Sequence, residues 1–535
     1  MFYYLAIIVI AFSLYLKSLF FGYSYSDDNI WILNHYFILK DFSYLPQFFT
    51  QPDFVGHIFY RPILCLSFMV DAHFYGTEPL GYHLTNIVMH VISTGLLFII
   101  LNKLHYNKEI SFLMSLIFLV HPVLTNAVVW IPGRTDSLLA MPLLSSFILF
   151  MEYVEKRKIV YLLGHFLLFI VALLTKELAV ILPVICFLYI VFIEKAGSIF
   201  TKNKWIIGGW ILSVGGWLWV RTLILKHALG NGVSPSLAIK TILSNGSAFL
   251  TYLGKIIFPI NLSVSPIPVD MSLIYGVIAV IILSSLLIVS KHKRNNYILF
   301  GMSWFVVFLV PSFVISYVKY EYRVYLPMIG LLIVFLELEL TYWFQKAKLF
   351  CVGALTCIII SCAIVSFNYS DSYENGVKYW QNAAKNSPHL ALAHRNLGAM
   401  YYLANDLDQA QLTYEKALEV NPTEPMVHNN LGLIYARKKM FKEAEREYVL
   451  EINNNPRYPN SYYNLGLMRY FENKSNDTVK LWNKTLELDP NFIDAYVNLA
   501  KLYASVGQLD KAKFYIHQMQ QKGMAVPAGL LEVLK

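Results

Sequence analysis

Over the first 370 positions apolar residues do not alternate with polar ones; they run in blocks. Such runs fall near 2–21, 83–102, 110–130, 137–154, 159–174, 178–194, 205–224, 272–290, 298–317, 324–343 and 349–367. Each is about the 17–25 residues a helix needs to cross the hydrocarbon core of a bilayer. A further run, 238–260, is interrupted by Lys240, Asn245 and Lys255 and reads as an interfacial or re-entrant segment. From about Asp371 the blocks stop, and short amphipathic helical patterns replace them.

Those later patterns repeat every 34 residues. Leu397-Gly398, Tyr401, Ala410, Tyr414, Ala417 and Pro422 return as Leu431-Gly432, Tyr435, Ala444, Tyr448 and Pro456. A third copy keeps Leu465-Gly466, Trp482 and Pro490 but has Arg469 and Thr478 where Tyr and Ala are expected. A fourth holds Leu499, Ala500, Tyr503 and Ala512. Trp380, Ala383 and Pro388 fit the register of a partial leading repeat, and LLEVLK at the end reads as a cap. This is the signature of tetratricopeptide (TPR) helix pairs. Small residues let paired helices approach, aromatics fill the gap between them, and Pro ends the second helix. The predicted fold is all-α: a polytopic membrane helix bundle over 1–370 with about eleven spans, then a TPR α-solenoid over 371–535.

Composition agrees with that partition. The chain of 535 residues is 57% hydrophobic and 14% charged. Residues 1–370 hold 24 Lys+Arg against 16 Asp+Glu, and the remainder 19 against 18. Almost all the net charge of +9 therefore sits in the membrane part, where basic residues flank cytoplasmic loops. No basic stripe points to nucleic acid. With the N-terminus inside, Lys103/Lys108, Glu155-Lys156-Arg157-Lys158 and Lys195/Lys202/Lys204 all fall inside. If 238–260 does not cross, Lys291-His292-Lys293-Arg294 and Lys346/Lys348 do so too. The TPR region then lies outside the cytoplasm. The apolar first twenty residues run into YSYSDD without an A-x-A-like cleavage site, which predicts an uncleaved first span. Cys65, Cys186, Cys351, Cys357 and Cys362 form no C-x-x-C pair and read as small hydrophobes.

The chemistry-bearing residues gather on the outer side of this topology. A long first external loop, 22–82, opens with Asp27-Asp28, adjacent carboxylates that are costly at a membrane unless hydrated, paired or functional. Ser26 or Asp27 as the cap of a helix beginning near Asn29 is an equal alternative. Tyr60-Arg61, His83, His121, Arg134, Asp136, Lys176-Glu177 and Glu321-Tyr322-Arg323 share that side. Carboxylates beside several cations suit a phosphorylated lipid substrate: Arg and Lys hold phosphate, and an Asp deprotonates an incoming hydroxyl.

The stretches YSYSDDNI, YRPILCLSFMVDAHFYGTEPLGYHLTNIVMHV, FLVHPVLTNAVVWIPGRTDSLLA, TKE and EYRVYLP, followed by TPRs, resemble the GT-C-fold membrane glycosyltransferases. Within them the match is to the transmembrane-and-TPR (TMTC-type) protein O-mannosyltransferases. The resemblance covers essentially the whole chain. It implies a polyprenyl-phosphate monosaccharide donor and transfer of mannose or another hexose, with inversion, to a Ser or Thr hydroxyl. It carries the catalytic carboxylate onto the Asp27-Asp28 pair, with Asp27 as base and Asp28 assisting. Arg61, Arg134, Arg323 and Lys176 become lipid-phosphate contacts. Tyr60, His83, His121, Asp136, Glu177 and Glu321 match without an assigned role. The scheme requires no cofactor; Mg²⁺ or Mn²⁺ on the Asp pair is an open option, although no D-x-D pattern occurs. The implied partners are the lipid donor, the bilayer and an exported protein or peptide recruited by the TPRs. About four repeats is a short array for the eukaryotic members and points to a bacterial cytoplasmic membrane. Two rivals stand beside this reading: a GT-C or O-antigen-ligase-like transferase acting on lipid or polysaccharide, and a non-catalytic membrane-anchored TPR scaffold.

Overall fold

The computed structural model describes residues 1–55, 58–225, 235–314 and 321–532. Among these every regular element is helical. The last residues of the predicted cap, 533–535, and the Tyr322 side chain lie outside the described set, as do positions 315–317 of the ninth apolar run. The chain divides into two compact units, Met1–Ser387 and Pro388–Lys535.

In the first unit all eleven predicted runs are helical over their described residues. Eight helices are long and apolar enough to cross a membrane: Phe2–Phe20, Pro79–Lys103, Ile131–Lys156, Glu177–Glu194, Trp205–Leu225, Asn295–Val314, Tyr325–Lys346 and Lys348–Tyr373. A ninth, Lys108–Val120 with Pro122–Val129, is bent by 53°, at a proline whose missing N–H and ring break the helical ladder. The remaining two runs form the shorter helices Ile159–Thr175 and Ile274–Val289. The interrupted run 238–260 is two helices, Pro235–Ser244 and Ala248–Ile257.

Small residues set the closest crossings, as expected where lipid gives helices no hydrophobic reason to associate. A Cβ on Gly330 would lie 2.3 Å from the Gly301 carbonyl oxygen, and one on Gly254 would lie 2.7 Å from the Gly276 nitrogen. The first contact locks Asn295–Leu309 against Tyr325–Phe335, and Trp304 Nε1 donates to the Leu326 carbonyl at 2.8 Å across the same seam. Gly22 N donates to Glu374 O at 2.9 Å, so the first and last long helices end on one side of the unit. All five cysteines are free; Cys65, Cys186 and Cys351 are buried and Cys357 is exposed.

The stretch 22–82 is not an open loop. Leu45–Thr50 and Pro62–Tyr75 are helices within it. Trp31, Ile32, Leu39, Phe48, Leu64 and Phe68 pack into one core with Met89, Ile131 and Leu138 of the long helices, which seats the stretch on the bundle. Helix Gly376–Asn386, which carries the partial-repeat residues Trp380 and Ala383, belongs to the first unit. Its Asn382 Oδ1 accepts from Val264 N at 3.0 Å, and Asn386 Nδ2 donates to Leu262 O at 3.1 Å.

The second unit is a run of antiparallel pairs. These are Ala391–Leu403 with Leu407–Val420, Val427–Arg437 with Phe441–Asn454, Pro459–Phe471 with Ser475–Leu488, and Ile493–Ser505 with Leu509–Gln521. The glycines explain themselves: a Cβ on Gly398, Gly432 or Gly466 would meet the ring of Tyr414, Tyr448 or Trp482 at 2.8, 2.5 and 2.5 Å. Each pair turns on a left-handed residue, Asn405, Lys439, Asn473 and Gly507, with φ of 62°, 61°, 60° and 74°. These four also stand 34 apart.

Candidate functional site

The chain leaves the first span at Phe21 and turns sharply, with Tyr25 in the left-handed region at φ 52°. For a residue with a Cβ that conformation costs roughly 1–2 kcal/mol. What holds the turn is Asp28. Its buried carboxylate accepts from Ser24 N at 2.8 Å and from the Ser24 hydroxyl. Ser24 Oγ in turn accepts from Trp130 Nε1 at 3.1 Å. Burial pushes the Asp28 carboxyl up to about 6 against those hydrogen bonds.

With Asp28 committed to the turn, Asp27 is left to face outward from it. The Asp27 main-chain oxygen accepts from Ile30 and Trp31 N, and no side chain caps the helical turn Asn29–Leu33. The capping alternative therefore fails in its side-chain form. The Asp27 carboxylate opens into a cavity of about 710 Å³, and burial raises its pKa above the ordinary carboxylate value.

Seven charged residues line that cavity: Asp27, Asp136 and Glu177, with Arg61, Lys176, Arg221 and Arg323. Four of them are already paired. Arg61 grips Glu177 through Nε at 3.1 Å and Nη2 at 2.6 Å, and stacks over the Phe59 ring at 4.0 Å. Lys176 holds both oxygens of Asp136, at 2.9 and 2.8 Å. The motif TKE thus places its Lys and Glu on two different opposite charges. Such charge-assisted contacts are strong and fix the wall in place. The wall also carries Asp27, Arg221 and Arg323. No cation pairs with Asp27 among the described residues. Arg323 also acts on the Tyr252 hydroxyl. The surplus inside the cavity is one positive charge, in a site walled otherwise by Trp31, Trp130, Trp217, Leu218 and Phe308.

Six sequence-selected residues stay off the cavity surface: Asp28, already described, and five others. Arg134 is fully buried, paired with Asp71 at 2.6 Å, donating to Tyr82 O at 3.0 Å and stacked over Phe68 at 4.4 Å. It is spent on an internal ion pair, and in this geometry it offers nothing to a ligand phosphate. Tyr60 donates to Phe49 O at 3.2 Å and ties the external segment together. His83 is buried edge-on to Phe21. His121 Nε2 contacts Ile256 O at 3.0 Å while Nδ1 accepts from Val123 N; it braces the bend and faces a separate, apolar cavity. Glu321 is buried near Lys255 at 3.5 Å, and burial raises its pKa. Sequence reading missed Arg221, which stands in an apolar run without a motif, and Asp71, which neutralises Arg134. It also missed Asp53, buried near Arg61 and Glu177, whose carboxyl burial lifts to about 7. Among the described residues no three of His, Cys, Asp and Glu converge as a metal set.

Residues 73–219 match the family model of dolichyl-phosphate-mannose-protein mannosyltransferases. Residues 398–439 and 481–514 match TPR models. The first match contains Asp136, Lys176 and Glu177 but begins after Asp27 and Arg61 and ends before Arg221 and Arg323. Among curated proteins, the chain is 29% identical over 186 residues to a protein O-mannosyl-transferase of Drosophila melanogaster, Tmtc1, covering 33% of this chain and 21% of that protein. It is 30% identical over 195 residues to human TMTC3, covering 34% and 20%. The alignments thus span about a fifth of these relatives' own length. Among solved structures, the crystal structure of MamA aligns with 28% of this chain and 86% of its own, at 22% identity and a TM-score of 0.25.

Proposed function

We propose that this multi-pass membrane protein is a glycosyltransferase. It moves a hexose, mannose by resemblance, from a polyprenyl-phosphate carrier to a Ser or Thr hydroxyl of an exported protein. One observation carries the reading: of the three carboxylates that line the cavity, Glu177 and Asp136 are held by Arg61 and Lys176, while Asp27 makes no ion pair among the described residues. The likeness to protein O-mannosyl-transferases supports the same reaction class.

The steps follow from the charges. The acceptor hydroxyl donates its proton to Asp27 as its oxygen attacks the anomeric carbon, and the bond from that carbon to the phosphate oxygen breaks on the opposite face. One displacement inverts the centre. The carrier enters as a phosphodiester with one negative charge and leaves as a monoester with up to two, so cations facing the leaving oxygen are worth more in the transition state than in the ground state. Asp28 keeps the turn that presents Asp27. Arg61 and Lys176, bound to Glu177 and Asp136, shape the wall. The positive charge beside the leaving oxygen comes from the guanidiniums that line the cavity.

The TPR unit serves to recruit the acceptor protein. In the proposed topology, a bacterial cytoplasmic membrane protein with its N-terminus inside, the first and last spans both exit outward. The Gly22–Glu374 hydrogen bond supports this, because it requires an odd number of crossings, as eleven is. The charged cavity favours this reading over a pure scaffold, and neither His83 nor His121 lines it, as an Arg/His-led ligase site would ask.

The test is transfer by the purified chain in proteoliposomes from labelled polyprenyl-phosphate mannose to a Ser/Thr peptide, with mass spectrometry of exported proteins from cells with and without the gene. Hexose on Ser/Thr peptides that disappears with the chain supports the reading. No transfer from any polyprenyl-phosphate hexose, or full activity in both Asp27→Asn and Asp28→Asn, overturns it.

A further inference from the structure

The cavity face of the span Trp205–Leu225 is formed by Val214, Trp217, Leu218 and Arg221. These positions, separated by three and four residues, fall on one helical stripe. The stripe is amphiphilic along its length: a guanidinium at one end, then Trp and Leu, then Val about 10 Å further along the axis at 1.5 Å per residue. Arg221 lies 5.8 Å from the Trp217 ring centroid, and no carboxylate pairs with it among the described residues. The other arginine on the same wall system, Arg61, already gives its fork to Glu177 and its face to Phe59. The Trp217 indole N–H is buried without a hydrogen-bond partner. Most of the span itself stands outside the protein interior, with 17% of its window buried, so hydrocarbon lying on the stripe can continue into the bilayer.

We propose that this stripe is the seat of the lipid carrier, with Arg221 holding its phosphate and Leu218, Trp217 and Val214 carrying the first length of its hydrocarbon stem. The assignment rests on the glycosyl-transfer reading for its ligand but is testable without sugar transfer. The charge order of the stripe matches an anionic head followed by an apolar stem. An arginine that must hold a phosphate in low-dielectric surroundings is one that is not already neutralised.

The experiment measures binding of undecaprenyl phosphate and of undecaprenol to the full chain in nanodiscs, by native mass spectrometry or Trp fluorescence. Arg221→Gln is expected to weaken the phosphate at least tenfold and leave the alcohol unchanged, with Arg221→Lys between. Val214→Asp is expected to weaken both. In turnover, Arg221→Gln raises KM for the sugar-charged carrier and also relieves inhibition by the bare carrier, since both present the same phosphate. Unchanged phosphate binding in Arg221→Gln, or equal loss of phosphate and alcohol, overturns the assignment. Failures stay separable. A wild type that binds with this Arg221 dependence yet transfers no sugar sinks the transferase reading and leaves the site standing. Transfer that needs Asp27 but ignores Arg221 does the reverse.

Discussion

Replacing Asp27 by Asn separates base catalysis from binding. The carboxylate holds no buried cation in place, so the substitution orphans no charge and spares the fold. Loss of a positioned general base costs 10²–10⁴ in rate, about 2.7–5.5 kcal/mol at 1.36 kcal/mol per decade. Donor binding moves the other way. A hydrogen-bond reach of about 2.8 Å and a near-attack gap of about 3.2 Å set the phosphate at least ~6 Å from Asp27. At an effective dielectric of 20, repulsion over that distance is at most about 2.8 kcal/mol. Asp27→Asn should therefore lower kcat a hundredfold or more while KM for the lipid donor stays level or falls. Steady-state transfer in proteoliposomes, with donor varied at saturating peptide, reads both constants. A kcat within tenfold of wild type, or a raised KM at unchanged kcat, would refute the assignment.

The other expected outcomes test the surrounding structure. Because the base must be ionised and burial raises the Asp27 pKa, kcat/KM should fall on acidification with a midpoint above the ordinary carboxylate range; a profile flat to pH 4 would contradict this. Asp28 carries about 6 in the fold against 3.8 outside it. The stability it contributes is thus complete below about pH 4 and lost as pH rises through about 6, on the order of 3 kcal/mol. Thermal unfolding of Asp28→Asn should lack that pH dependence. Arg134→Met leaves Asp71 buried and unpaired and should destabilise the chain by about 3–5 kcal/mol, whereas Arg134→Met with Asp71→Leu should recover most of the melting temperature. Gly432→Ala sets a Cβ 2.5 Å from the buried Tyr448 ring and should cost about 1–3 kcal/mol, read as earlier proteolysis of the repeat unit on heating.

The features that were legible in the sequence are those that repeat or run. Eleven apolar blocks became eleven helical segments because a bilayer leaves backbone groups no partners but their own helix. The 34-residue spacing of Gly and aromatics was legible because each Gly is there for the ring above it. Asp27 was legible through an acidic pair in an otherwise apolar neighbourhood. Which member of the pair faces the cavity was not, since that depends on Ser24 and Trp130, 106 residues apart, meeting at one turn. Arg134 and His121 carry the same residue types as true ligand contacts, and only the fold brings Asp71 to the first and the Ile256 carbonyl to the second. Arg221 was invisible for the opposite reason: within an apolar run a single cation reads as a span terminus, and its place on the cavity wall comes from the helical face it shares with Trp217.

The span Trp205–Leu225 gives one wall to the cavity and most of its own surface to its surroundings. Part of the site is thus finished by whatever the cell's membrane supplies. Turnover should then depend on acyl-chain length and packing even where the carrier concentration is fixed. A change in growth temperature that remodels the lipids would retune this protein without touching a single one of its residues.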